Sequence, residues 1–243
     1  MTRNLFIFSG AGLSAESGLA TFRGSASSLW ENEDLSVVCD YGTWKANRER
    51  VFSFYNARKQ DVAAATPNEA HRWIAEWQST WGADRVQVMT QNVDDLLERA
   101  GATAVTHLHG ELTTAHCTAC GTRWQVAGAF DVEGRCPKCN SLKGVKPGVV
   151  FFHEPAPRYR DLAQWFKRIR PQDILLVIGT AFEVLPVVMV VPLHKAGEDL
   201  TWQVNPHPAA PEWFGRNLAH PASVGCAVIA PWLAQLMEDG RTA

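Results

Sequence analysis

Cys117 and Cys120 are separated by two residues, and so are Cys136 and Cys139. Two cysteines at that spacing can turn both sulfurs toward one ion, and two such knuckles supply the four thiolates of a closed tetrahedral zinc site. Gly121 and Pro137 suit the knuckle turns. Two disulfides, or four unrelated thiols, are the alternative readings. Four protein ligands leave no position open for water or substrate, so such an ion is expected to be structural. Cys39 and Cys226 stand outside the pattern and, taken alone, read as buried thiols.

A second constellation lies at the ends of apolar runs. Leu5–Phe8 runs into Ser9-Gly10-Ala11-Gly12, and Val86–Met89 into Thr90-Gln91-Asn92. Ala104–Leu108 ends at His109-Gly110, Ile174–Ile178 at Gly179-Thr180-Ala181, and Thr201–Val204 at Asn205-Pro206. Glycines let a backbone approach a pyrophosphate, and a helix starting near Ser14 would offer free N–H groups. Gly18 is six residues beyond Gly12, where the usual dinucleotide fingerprint wants three, so Gly10-x-Gly12 alone fits a plain tight turn equally well.

Helices are expected between these runs. Thr66-Pro67-Asn68-Glu69 reads as a capping box with proline at the first helical position. Ala70, Trp73, Ile74, Trp77 and Trp81 follow at helical spacing. Further helices are expected over 94–100, stopped by Gly101, and over 47–62, 159–169 and 232–237. Strands alternating with helices predict an α/β fold with a doubly wound, Rossmann-like parallel sheet, whose ligands bind beyond the carboxyl ends of the strands. Residues 25–62 and 111–147 interrupt the alternation. They are expected to form a small lobe, part helical and part zinc ribbon, inserted into a main domain of 1–24, 63–110 and 148–243.

Composition narrows the function classes. The 243 residues are 46% hydrophobic and 20% charged, which is ordinary for a globular chain. The 23 Lys+Arg against 25 Asp+Glu leave a net charge of −2, with no global positive field for nucleic acid or anionic lipid. The apolar run from Val184 to Leu193 is interrupted by Pro186 and Pro192 and is too short to span a bilayer. Residues 5–8 are too short for the core of a signal peptide, so a cytoplasmic protein is expected.

The motifs together resemble a known family. Gly10-Ala11-Gly12-Leu13-Ser14-Ala15-Glu16-Ser17-Gly18-Leu19-Ala20-Thr21-Phe22-Arg23 is similar to the signature of the sirtuins, the NAD-dependent protein deacylases. Thr90-Gln91-Asn92-Val93-Asp94 resembles their second motif, and His107-Leu108-His109-Gly110 the one bearing their catalytic histidine. The four cysteines follow where sirtuins carry them. Gly148-Val149-Val150-Phe151-Phe152-His153-Glu154 resembles the strand that binds acyl-lysine. The agreement runs in the family's order along nearly the whole chain.

The resemblance implies roles. NAD is the co-substrate. The amide oxygen of an acylated lysine attacks its ribose, nicotinamide leaves, and the acyl group ends on ADP-ribose. His109 would be the base for a ribose hydroxyl, a task suited to a side chain with an ordinary pKa of about 6.5. Asn92 would orient the ribose hydroxyls or a water, Gln91 would touch the ribose, and Asp94 the nicotinamide amide. Gly10, Ala11, Gly12, Ser14, Gly179, Thr180 and Asn205 fall at other cofactor positions, and Cys226 at an adenine-side contact. Phe22 and Arg23 would cover and assist the nicotinamide end. Val150 and Phe151 would line the acyl-lysine site. His107 is expected to take no part as base. Ala20, Leu97, Ala181 and His153 stand where the family carries proline, histidine, serine and glycine.

Phe54-Tyr55-Asn56-Ala57-Arg58 resembles the segment of the sirtuin subgroup that removes succinyl and malonyl groups. Residues three apart share a helix face, and arginine binds a carboxylate through paired N–H bonds to which tyrosine adds a donor. The resemblance therefore implies desuccinylation and demalonylation, with deacetylation alongside. The expected partners are acylated lysine side chains of proteins or peptides, not membrane or nucleic acid. A sirtuin-like ADP-ribosyltransferase or NAD hydrolase remains an alternative, and a non-enzymatic zinc-ribbon binding module a remote one.

Overall fold

The computed structural model describes residues 2–21, 34–191 and 194–239. Its frame is a six-stranded sheet of β1 (Leu5–Ser9), β2 (Val86–Thr90), β3 (Val105–His107), β7 (Ile174–Ile178), β8 (Thr201–Val204) and β9 (Arg216–Leu218). The order is β3-β2-β1-β7-β8-β9, and every pairing is parallel. The expected α/β class with a Rossmann-like sheet is what the chain forms. The central strands are apolar throughout because both faces are covered. Leu5, Ile7, Leu176 and Ile178 face α3 (Glu69–Trp81) and α7 (Ala222–Asp239), while Phe6, Phe8, Leu175 and Val177 face α5 (Tyr159–Lys167).

A smaller antiparallel sheet, β5-β4-β6, joins β4 (Gly110–Cys117), β5 (Arg123–Gln125) and β6 (Val145–Val149). It packs with α1 (Leu35–Val38) and α2 (Arg48–Ala64) around a third core containing Trp44, Phe52, Tyr55, Phe130 and Phe151. Arg48 ties the helical and cysteine-bearing segments together, donating to the carbonyls of Val132 and Val145.

Four local expectations change. The segment after Gly12 forms two single 3₁₀ turns, Ala11–Leu13 and Ala15–Ser17, and not an α-helix; Gly18 ends it in the left-handed region at φ 86°. The α3 cap is Asn68, whose side chain accepts from the amides of Ala70 and His71 while the His71 ring accepts from the Asn68 amide. Pro67 therefore precedes the cap. The short helix after Asp94 is limited to α4 (Leu96–Arg99). The last helix, α7, starts ten residues earlier than expected and runs through Pro231. A helical turn not expected from the sequence, α6 (Val187–Val190), follows Pro186. No helix among the described residues is long and apolar enough to cross a membrane.

Candidate functional site

The carboxyl ends of β1, β2, β3 and β7 bring their polar residues to one edge of the sheet. Close approach of two loops builds its floor. A Cβ on Gly12 would lie 2.7 Å from the Gly179 Cα, and Gly179 itself has φ +63°. The Gly12 amide donates to the Gly179 carbonyl at 2.8 Å. Both positions therefore require glycine for loop packing, before any ligand is considered.

Around this floor lies a buried polar network. Ser14 Oγ donates to Asp94 Oδ2 at 3.0 Å and accepts from Asn92 Nδ2 at 3.1 Å. The His71 Nδ1 accepts from the Asn68 amide, so in the neutral ring Nε2 carries the proton and donates to Ser14 Oγ at 3.3 Å. Burial, helped by neighbouring Arg72, holds the His71 pKa down to about 4, and burial pushes the Asp94 carboxyl up. Gln91 Nε2 donates to Thr180 Oγ1, and Asn205 Nδ2 to the Thr180 carbonyl, both at 3.0 Å. Gly10, Ala11, Gly12, Ser14, Gln91, Asn92, Asp94, Gly179, Thr180 and Asn205 are thus gathered at one edge. Cys226 lies in α7 and is wholly buried in the core. Phe22 and Arg23 fall outside the described residues.

His109 lies just past β3, in the turn into β4. Its Nδ1 is 3.1 Å from the Gln91 carbonyl, and its Nε2 is 3.2 Å from the Tyr159 hydroxyl. A carbonyl can only accept, so the neutral ring carries its proton on Nδ1 and keeps the Nε2 lone pair. Burial lowers its pKa against the opposing pull of the Gln91 carbonyl. His107 is spent elsewhere: Nδ1 meets the Asn92 carbonyl at 2.8 Å and Nε2 meets Glu98 at 2.9 Å. Burial alone would lower its pKa, but these two acceptors outweigh it and raise it.

Beside His109 runs the 148–154 segment, whose Val150 amide donates to the His109 carbonyl at 2.8 Å. Phe151 is buried with its ring stacked on Tyr55, centroids 5.5 Å apart and planes 15° from parallel. The Tyr55 hydroxyl donates to Cys39 Sγ at 3.2 Å. Arg58, three residues on along α2, has Nε 3.0 Å from Asp61 Oδ2 and its guanidinium 5.1 Å from the Phe54 ring centre. Neither the sequence motifs nor the periodicity singled out Lys146. It is fully buried, 2.9 Å from Glu154, and burial brings its pKa down to about 8. A lysine three residues before the apolar run Val149–Phe152 was the available signal. His153 takes φ 61°, where glycine would be unstrained, and its Nδ1 meets Asp40 at 2.5 Å.

The sulfurs of Cys117, Cys120, Cys136 and Cys139 all lie within 4.8 Å of one another, and the 117–139 and 120–136 pairs are 3.6 Å apart. Thiolates bound to zinc at about 2.3 Å stand at comparable separations, so this is the four-cysteine ligand set of a zinc site. For NAD the fit rests on donor chemistry: buried hydroxyl and amide groups converge on the sheet edge, as ribose and amide recognition requires.

A model of the Sir2 family matches residues 10–186. A protein of Campylobacter jejuni described as an NAD-dependent protein deacylase is 41% identical over 185 residues, covering 76% of this chain and 77% of its own. One of the same description from Mycobacterium tuberculosis is 38% identical over 211 residues, covering 83% and 85%. A crystal structure of a Sir2 homologue–NAD complex superposes with a TM-score of 0.82 at 30% identity, covering 97% of this chain and 91% of that one.

Proposed function

The chain belongs to the Sir2 family and is an NAD-dependent protein deacylase; from that premise we propose that it removes succinyl and malonyl groups from protein lysines, and acetyl groups as well. The observation that carries the acyl preference is the pairing of Tyr55 with the Phe151 ring on the helix face that also bears Arg58. The Tyr55–Phe151 stack forms the wall of the acyl-lysine site, and Arg58 supplies the charge that an acidic acyl group needs.

NAD, when bound, supplies the ribose that accepts the acyl group and releases nicotinamide. The chain's own residues hold and orient it. Gly10, Ala11 and Gly12 bring backbone close to the phosphates, while Ser14, Gly179, Thr180 and Asn205 bind along the dinucleotide, with Cys226 contributing backbone at the adenine end. Phe22 and Arg23, which lie outside the described residues, would serve the nicotinamide end by the family resemblance alone. Gln91 and Asn92 orient the ribose, and Asp94 accepts from the carboxamide. His109 removes a proton from a ribose hydroxyl through Nε2, the nitrogen its tautomer leaves unprotonated. Val150 and Phe151 hold the acyl-lysine, whose protein or peptide is the partner. A related Sir2 homologue at 29% identity is known in complex with 2′-O-acetyl ADP ribose, which supports the same acyl acceptor here.

The small lobe of 25–62 and 111–147 carries Arg58 and the zinc, and the main domain of 1–24, 63–110 and 148–243 carries the dinucleotide site. Acetyl-, malonyl- and succinyl-lysine versions of one peptide, assayed with NAD, test the reading. Higher kcat/KM for the acidic groups is expected, and a preference for acetyl would refute it.

A further inference from the structure

Tyr159 opens α5. The inward residues Leu162, Trp165 and Phe166 fill the core beneath the sheet. Half-buried Tyr159 packs against the edge of that same core and brings its hydroxyl to within 3.2 Å of His109 Nε2. The two rings lie 6.1 Å apart and are tilted by 52°. The direction of this bond is settled by the other side of the imidazole. Gln91 offers Nδ1 only an acceptor, so the neutral ring has its single lone pair at Nε2, and the phenol is the donor. That lone pair is the one a general base must present.

We infer that Tyr159 is a positioning residue for His109. It holds the ring by the Nε2 lone pair of the tautomer that Gln91 sets, favours the neutral ring, and yields Nε2 to the ribose hydroxyl when the substrate enters. The inference rests on the reading of His109 as the base. The ring is held at both nitrogens, by Gln91 from β2's end and by Tyr159 from α5, so neither a flip nor the other tautomer preserves both bonds. A hydrogen bond donated to the neutral imidazole also disfavours its protonation. Exchange of one hydroxyl for another replaces a neutral hydrogen bond with an equivalent one, so the ribose can displace the phenol at small cost.

The charged and titratable groups on the surrounding elements do not substitute for this contact. His107 is bonded to Glu98 and the Asn92 carbonyl. Asp94 is bonded to Ser14 and the Leu96 amide. Lys146 and Glu154, on the chain that pairs with His109, are bonded to each other. Glu111 follows on β4, and Arg158 precedes Tyr159; both line, with Gly110, Arg123, Trp124 and Val150, a cavity of about 310 Å³.

Tyr159→Phe in the full-length enzyme keeps the ring and deletes the hydroxyl. Activity rises with pH as His109 loses its proton, so loss of the donor should move the acid limb of kcat/KM upward by about half a pH unit. The melting temperature should stay unchanged. Long-range ¹H–¹⁵N spectra of histidine-labelled wild type should show His109 protonated at Nδ1 with Nε2 accepting a hydrogen bond, and Tyr159→Phe should keep that tautomer but shift the Nε2 resonance as the hydrogen bond is lost. An unchanged acid limb and unchanged spectrum would overturn the role of Tyr159 and leave the base intact. Early melting with equal loss at every pH would overturn it too, by showing a packing role. Full turnover by His109→Ala would instead remove the base itself, so the two failures are distinguishable.

Discussion

Arg58→Met tests the acyl preference. The Arg58 side chain is 17% exposed, its Nε faces Asp61, and its plane lies near the Phe54 ring. The two Nη groups are the atoms left to grip a carboxylate. Two charge-assisted hydrogen bonds are worth roughly 1.5–3 kcal/mol each before offsets. Hydration of the free guanidinium and the neighbouring Asp61 charge reduce the sum, leaving about 1.5–3 kcal/mol net, or roughly 10- to 100-fold. Methionine keeps the apolar stem against Phe54, and Asp61 is 44% exposed, so the fold should lose under about 1 kcal/mol. The assay is kcat/KM for succinyl- and acetyl-lysine versions of one peptide at saturating NAD. Succinyl turnover should fall by the stated factor, mainly through KM, because the carboxylate is bound in ground and transition states alike. Acetyl turnover should hold. Tyr55→Phe should act in the same direction but more weakly, since its hydroxyl must first leave Cys39 Sγ, a weak acceptor. Equal loss of both activities in Arg58→Met would refute the reasoning and leave Arg58 a structural residue of α2.

Cys136→Ser should abolish zinc binding, measured as metal content of the purified protein, and lower the melting temperature of the small sheet. The buried Cys136 shares a core with Tyr55 and Phe151, so acyl-lysine turnover should fall with it. Stability should also fall with acid. His71 has a folded pKa of about 4 against about 6.5 unfolded, so the unfolded state takes up the proton first. Its contribution is whole above about pH 6.5 and declines by roughly 3 kcal/mol as pH falls through 4. Urea titrations at several pH values should show that slope, and His71→Gln should flatten it.

The parts of this account that the sequence displayed are those with one dominant cause. The strands β1 and β7 were legible because both faces are buried, which leaves unbroken apolar runs ending in small or polar residues, and β2 because only Gln87 interrupts its run. The cysteine spacing was legible because coordination geometry admits few alternatives. β4 and β5 were not, since they alternate polar residues and are held by pairing and by the cysteine cluster more than by apolar burial. The 3₁₀ turns after Gly12 were hidden because capping-type residues suit a short turn as well as a helix. The last helix was expected only over 232–237, yet it runs through Pro231 from Ala222 because Cys226, Ile229, Leu233 and Met237 share one buried face. Lys146 with Glu154, His153 with Asp40, and Tyr159 with His109 are partners 8, 113 and 50 residues apart in the chain, and only the fold brings each pair together.

The central claim is acyl transfer from lysine to the ribose of NAD. Its most direct measurement is a mass-spectrometric count of products from a succinyl-lysine peptide and NAD. One nicotinamide and one succinylated ADP-ribose should appear for each lysine freed, with none of the three formed when peptide or NAD is left out. Nicotinamide release that proceeds without peptide, or lysine freed with plain succinate and unconsumed NAD, would contradict the account.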